Sequence, residues 1–182
     1  MNAHALFDLI DKRYPEHPIG PFLKALDTWW KILIDLSDTS HDRAFFAAMD
    51  EVIARSDRML KRDADDFDAM FFKGAALGFR GRLKSNRGDW FQSARDGLRA
   101  MDYVLGVAKK DPQNHDYVFG KGIYDYYAAV LREEHPRLRP LLTFFARGDR
   151  DRGRHLLEVT FQRGTYLQAE AAYQIALLEY VH

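Results

Sequence analysis

Cysteine is missing from all 182 residues of this chain, which excludes disulfides and thiolate metal sites. Histidine is sparse and scattered. Its seven copies form no HExxH and no Glu-x-x-His, and His155 with Glu158 has the reversed order common on surface helices, so neither a metal nor a cofactor is expected. Net charge is absent too: 27 basic and 27 acidic side chains cancel, and such a chain has no global field to draw nucleic acid or a membrane surface. A membrane span is not expected, because the apolar run from Tyr117 to Leu131 is short and is interrupted by Lys121 and Asp125. The opening residues, MNAHALFDLI, have no basic n-region and no long apolar run, so as they stand they are not a signal peptide. Nothing alternates apolar and polar for long enough to argue for a sheet. The fold class that remains is all-α.

What is present is the balance of a soluble globular protein, 47% apolar and 30% charged. The length suits one domain, taken here as residues 1–182, with enough chain to bury a sizeable core. Charge is unevenly spread. Residues 1–79 hold 10 basic and 14 acidic groups, residues 80–110 hold 8 and 3, and residues 131–163 hold 8 arginines and 5 acids.

The stretch NHDYVFGKGIYDYYAAV, Asn114 to Val130, reads as one helix, and versions of it recur. Four copies align on the small residues Ala25, Gly74, Gly122 and Ala176, at spacings of 49, 48 and 54 residues. Three positions before each stands an aromatic: Phe22, Phe71, Phe119 and Tyr173. A lysine directly precedes the first three, as Lys24, Lys73 and Lys121. Self-similarity at periods of roughly 20 to 50 residues marks a stacked repeat array.

In chain order, Asn2 to Arg13 places Ala5, Leu6, Leu9 and Ile10 at the spacing of a short amphipathic helix, which YPEHP then breaks. Repeat one, residues 19–63, is expected to pair a helix from about Ile19 to Leu36 with one from about Asp42 to Leu60. Repeat two, 67–111, pairs about Phe67 to Leu83 with about Trp90 to Lys109. Repeat three, 115–163, pairs a helix ending near Leu131 with one running from ARGD to QRGTY. Pro136 and Pro140 mark an irregular connection between them, with a short helix over Leu141 to Ala146. AEAAYQIALLEYVH, 169–182, is the first helix of a fourth pair. An array should close with a polar cap. The expectation is therefore a piece of a longer protein, from which a signal sequence could be missing as well, and whose last helix offers a homo-oligomer contact.

RGD occurs at Arg87–Asp89 and Arg147–Asp149 and suggests integrin binding. Both copies precede a second helix of a pair, where glycine takes the turn and aspartate caps the helix. Asp42 holds the matching place in repeat one, and Gln92 makes an approximate capping box with Asp89. The structural explanation is the better one.

These helix pairs, the small residue within the first helix and the DP between repeats resemble tetratricopeptide repeats. That unit is about 34 residues, whereas these are longer, and lysine stands before the small residue where the family keeps leucine. GIYDYY (Gly122 to Tyr127) followed by LLTFFARGDRDRG (Leu141 to Gly153) is similar to a divergent bacterial set and, distantly, to a eukaryotic group linked to mitochondrial outer membranes. The closer similarity covers Phe67 to His182. What it implies is a right-handed α-solenoid of about three and a half antiparallel pairs, a non-enzymatic scaffold with no catalytic residues. The bacterial likeness points to the cell envelope if a signal sequence is missing, and otherwise the chain reads as cytoplasmic.

The residues with the most chemistry each have two readings. The aromatic ladder is either inter-helix packing or a stacking platform. Trp29, Tyr126 and Tyr127, with Arg80 nearby, either line a groove for a peptide or pack neighbouring helices. Lys121 and Asp125, four apart, share a helix face and form a buried polar pair if it turns inward or an ordinary surface pair if it turns outward. Arg147, Arg150, Arg152 and Arg154 gather at a helix start and hold an anion or pair with nearby acids. The glycines of GAALGFRG (Gly74 to Gly81) lie within a helix and do not make a phosphate loop. The leading expectation is a scaffold binding a peptide or protein on its concave face through Trp29, Arg80, Lys121, Asp125, Tyr126 and Tyr127. A self-associating or spacer array is the alternative, and an all-α enzyme using the Lys121, Asp125 and tyrosine cluster is a remote one.

Overall fold

Eight helices and no strand make up the described residues of the chain: α1 (Ala3–Arg13), α2 (Ile19–Ile34), α3 (Asp42–Arg62), α4 (Phe67–Asn86), α5 (Trp90–Lys110), α6 (Phe119–Glu134), α7 (Arg150–Arg163) and α8 (Gln168–Val181). The computed structural model describes residues 3–111, 113–134 and 147–181. The expected short helix over Leu141 to Ala146, with Pro136 and Pro140, lies outside these residues, as do Asn2 and His182. The chain divides into two compact units, Met1–Tyr103 and Val104–His182.

In the first unit α2 packs against both α3 and α4, α3 packs against α4, and α1 lies on α2. The apolar stripe of α2 buries Phe22, Ala25, Trp29 and Ile32, the three-to-four spacing that puts side chains on one helix face. Pro21 sits in the first turn, where its missing N–H breaks no helical bond. The helix stops at Ile34, short of the expected Leu36. Asp35 adopts an extended backbone (φ −142°, ψ 97°) and its carboxylate takes the N–H and O–H of Ser37 at 2.9 and 2.6 Å. That local turn competes with one more helical residue. α4 is buried almost all round, from Ala69 to Leu83, as befits a helix with neighbours on several sides. Rings knit the unit together. Phe22 meets Phe71, Phe72 and Phe79 edge-on at 6.4, 5.2 and 6.3 Å, and Trp29 meets Phe45 and Phe79 at 5.6 Å each.

Helix α1 forms where the amphipathic spacing places it, but its apolar side is not buried. None of its residues is buried, and Leu6 and Leu9 face water. Ion pairs attach it instead. Asp11 accepts from Lys24 at 2.9 Å and Arg55 at 2.6 Å, Asp8 pairs with Lys24 at 2.8 Å, and His4 lies 2.8 Å from Asp27.

In the second unit α7 packs on α6 and on α8. Tyr126, Val130, Leu157 and Leu178 form the core, with Phe119, Ile123, Tyr127 and Ile175 against it. The first two helices cross at glycines: a Cβ on Gly153 would stand 2.5 Å from the Tyr126 nitrogen and 2.8 Å from the Gly122 oxygen, so only glycine fits. α6 begins at Phe119, later than the single helix expected from Asn114. Asn114 Oδ1 receives the Asp116 N–H at 3.1 Å, holding residues 114–118 in turns. The buried Asp116 carboxylate accepts N–H groups of Thr165 (2.8 Å), Tyr166 (3.1 and 3.2 Å) and Leu167 (3.0 Å), just ahead of α8.

Candidate functional site

The most developed polar arrangement of the first unit gathers around Asp96, whose buried carboxylate projects from α5. Arg80 of α4 grips it with two parallel bonds of 2.7 and 2.6 Å, and Lys84, one turn further along, adds a third at 2.8 Å. Burial opposes the charge on Asp96, but the bonds to Arg80 and Lys84 outweigh it and hold the carboxyl below its ordinary value. Arg80 also reaches Asp50 on α3 at 2.5 Å. Arg87, in the turn after α4, binds Asp42 at 2.6 and 2.8 Å and donates to the carbonyls of Leu36 and Asp38. Above these ion pairs lies an open cleft of about 300 Å³ lined by Phe46, Asp50, Arg80, Lys84, Arg87 and Asp89.

The second unit repeats the motif of one carboxylate under two cations. Asp125 of α6, 2% exposed, accepts from Lys121 at 2.5 Å and from Arg152 of α7 at 2.7 and 2.8 Å. Its carboxyl too is held low by Arg152 and Lys121 despite burial. Lys121 keeps about a third of its side chain in water, at 32%, so the pair expected to lie either inside or outside has one member in each place. The Arg150 guanidinium stands 5.3 Å above the Tyr126 ring, and Tyr127 is half-buried beside it at 5.5 Å between centroids.

These placements settle several alternatives at the level of single side chains. Trp29 has no exposed surface and Tyr126 only 3%. Both are packing residues, a correction to the groove drawn through them, because rings enclosed on all sides offer a partner no area. Trp29 and Arg80 belong to the first unit and Lys121, Asp125, Tyr126 and Tyr127 to the second. Of the ladder aromatics, Phe22 and Phe71 are core residues in mutual contact, and Phe119 packs on the core of the second unit. All three ladder lysines are tied down. Lys24 holds Asp8 and Asp11, Lys121 holds Asp125, and Lys73 bonds to Asp57 and the Tyr103 hydroxyl, each at 2.6 Å. Burial disfavours the charge on Lys73, yet Asp57 and Tyr103 raise its pKa overall.

The RGD aspartates act as caps: Asp89 takes the Gln92 N–H at 3.2 Å and Asp149 the Arg152 N–H at 2.9 Å. Gly88 has a φ of +80°, while Gly148 keeps to negative φ and lies against the Asp125 carbonyl, too close for a Cβ. Asp42, expected as a cap, is instead the first residue of α3 and the partner of Arg87. The arginine cluster is mostly neutralised, by Asp125 for Arg152, Glu133 for Arg150, and Glu158 and Glu179 for Arg154. Among the described residues no group of three or more His, Asp or Glu could hold a metal, and no helix is long and apolar enough to cross a membrane. Sequence reasoning passed over Asp96 and Asp116, whose partners are on other segments. No family model, curated protein or solved structure matches the chain.

Proposed function

We propose that this chain is a non-enzymatic helical scaffold that takes a segment of a protein partner against the cleft of its first unit. The helix pairs α2/α3, α4/α5 and α6/α7, followed by α8, are consecutive turns of a right-handed, tetratricopeptide-like solenoid in this reading. Its support is the packing of α2 on both α3 and α4, in which a first helix meets its own partner and the next first helix. The observation that carries the functional part is the cleft at Arg80: an aromatic, Phe46, beside exposed Asp50 and the cations Lys84 and Arg87. Aromatic area rimmed by charge is the composition of a recognition surface. Against catalysis weighs the engagement of Lys73, Lys121, Asp96 and Asp125 with opposite charges, which leaves none of them poised as a free base or nucleophile.

The test is affinity capture with the wild type beside a Phe46→Ala/Asp50→Asn variant. These residues line the cleft without clamping Asp96, so the fold should survive. A protein retained by the wild type and lost by the still-helical variant supports the reading, and equal capture by both removes it. Self-association is a second reading, favoured by α8, whose Tyr180 is 90% exposed beyond outward-facing Ala169 and Ala176. A mass in solution that rises with concentration and falls in a Tyr180→Glu variant would move the assignment there.

A further inference from the structure

The basic stretch at residues 80–110 is only partly accounted for by the first unit. Arg80, Lys84 and Arg87 are bound to aspartates, and Arg82 stands 4.9 Å over the Trp29 ring. Arg95 and Arg99 on α5 differ. Both are exposed and neither makes an ion pair among the described residues. They share the outer side of α5 with Phe91, 79% exposed, and Leu98, 50% exposed. Positions 91, 95, 98, 99 and 102 recur at helical spacing, while Asp96 and Ala100 fill the opposite, buried side. The outer face thus offers two apolar anchors seven residues apart, about 10 Å of helix rise, beside two arginines four residues apart, about 6 Å of helix rise.

We infer that this face of α5 docks an acidic amphipathic helix of a partner protein, its carboxylates on Arg95 and Arg99 and its apolar residues on Phe91 and Leu98. Guanidinium groups match carboxylates in paired, directional bonds, and acids one turn apart on a helix match the arginine spacing. An anionic lipid surface fits less well: recruitment there takes clusters of about 4 to 8 basic residues, and this face has two, with exposed Asp102 among them. A second copy also fits less well, because a twofold contact sets the same patch against itself and so arginine against arginine. The inference rests on the scaffold reading but uses none of the residues that line the cleft.

Fluorescence anisotropy of the whole chain with two labelled helical peptides tests it. Each has leucines two turns apart, flanked in one by glutamates and in the other by lysines. The glutamate peptide should bind about tenfold or more tighter than the lysine peptide, and Arg95→Glu/Arg99→Glu should reverse that order. All the altered side chains are exposed, so helicity by circular dichroism should not change. No preference, a lysine preference, binding of neither peptide, or capture only by phosphatidylserine vesicles overturns the assignment. Phe46→Ala/Asp50→Asn should leave the peptide result intact. If it abolishes binding, the peptide occupies the cleft, and the α5 face falls while the scaffold reading stands.

Discussion

Replacing Asp116 by alanine removes one carboxylate and strands three backbone donors. Leu167, only 1% exposed, loses the acceptor of its N–H, at about 1–3 kcal/mol for a buried unsatisfied donor. Thr165 and Tyr166 are exposed residues, so water can replace the carboxylate at about 0.5–1 kcal/mol each. The gross cost is about 2–5 kcal/mol; relief of the burial of a charge is largest where the site is driest and so trims the upper end, which leaves about 2–3 kcal/mol. For a chain of this length each kcal/mol moves the melting midpoint by about 2–4 °C, so Asp116→Ala should melt about 4–12 °C lower. Asn at this position keeps one acceptor and should lose roughly half as much. Urea titrations give the free energies. Amide exchange locates them, with Thr165, Tyr166, Leu167 and the first turn of α8 losing protection before α3 or α4. A stability change below about 0.5 kcal/mol, with unchanged exchange at those amides, would refute the role given to this carboxylate.

Other consequences are as direct. Gly153→Ala should cost about 1–3 kcal/mol, because its Cβ would meet the Tyr126 nitrogen at 2.5 Å, whereas Gly78→Ala, with nothing within 4 Å, should gain up to about 1 kcal/mol. Thermal melts that rank these two the other way would contradict the helix crossing. Ser56→Ala should be neutral or stabilising by about 1 kcal/mol in urea titrations, because the Ser56 hydroxyl is buried without a hydrogen-bond partner among the described residues. Asp96 and Asp125 have folded pKa values below the unfolded value of 3.8. The unfolded chain therefore binds protons first as pH falls, and the stability these groups contribute is complete above that value and is lost below it. An Asp96→Asn/Asp125→Asn variant, though less stable at neutral pH, should lose less further stability than the wild type between about pH 4 and pH 2, and an equal loss would show that these pairs do not set the acid limb. Trp29→Ala should cost about 3–5 kcal/mol and lower the melting point with no selective loss of binding, since the ring is enclosed.

The helices were legible because their signals are local. α3, α4, α5, α7 and α8 begin within a residue or two of their expected starts; Asp89 and Asp149 cap as the RGD reading expects, and Asp66 caps α4 in the same way without having been singled out. The start of α6 differs from the expected one because two things act on the turn at Asn114 to Val118: a local bond from the Asp116 N–H to Asn114 Oδ1, a signal the helical reading overrode, and bonds from residues some 50 positions away, such as Leu167 to Asp116 at a separation of 51. No periodicity carries that information. Trp29 illustrates a different limit. Helical spacing assigns a residue to a face but not the face to a neighbour, so groove and core looked alike until the rings of Phe45 and Phe79 were found against it. The pairing of Arg80 with Asp96 joins two helices through side chains 16 residues apart, and only the fold could single out that aspartate among the acids of the chain.

The Asp11, Asp96 and Asp125 clusters each set one carboxylate beneath a lysine and an arginine. Such a trio constrains how the gene can change. Losing the acid leaves two cations facing each other, and losing the arginine at the buried Asp96 or Asp125 leaves an interior carboxylate with its lysine alone, so at those two sites either single step is costly. Replacing the members together with apolar residues of similar volume is tolerated far better. Substitutions at these positions are therefore expected in coupled sets, with strong epistasis between helices, and a chain that had crossed such a valley would keep these helices while losing the charged residues that mark them here.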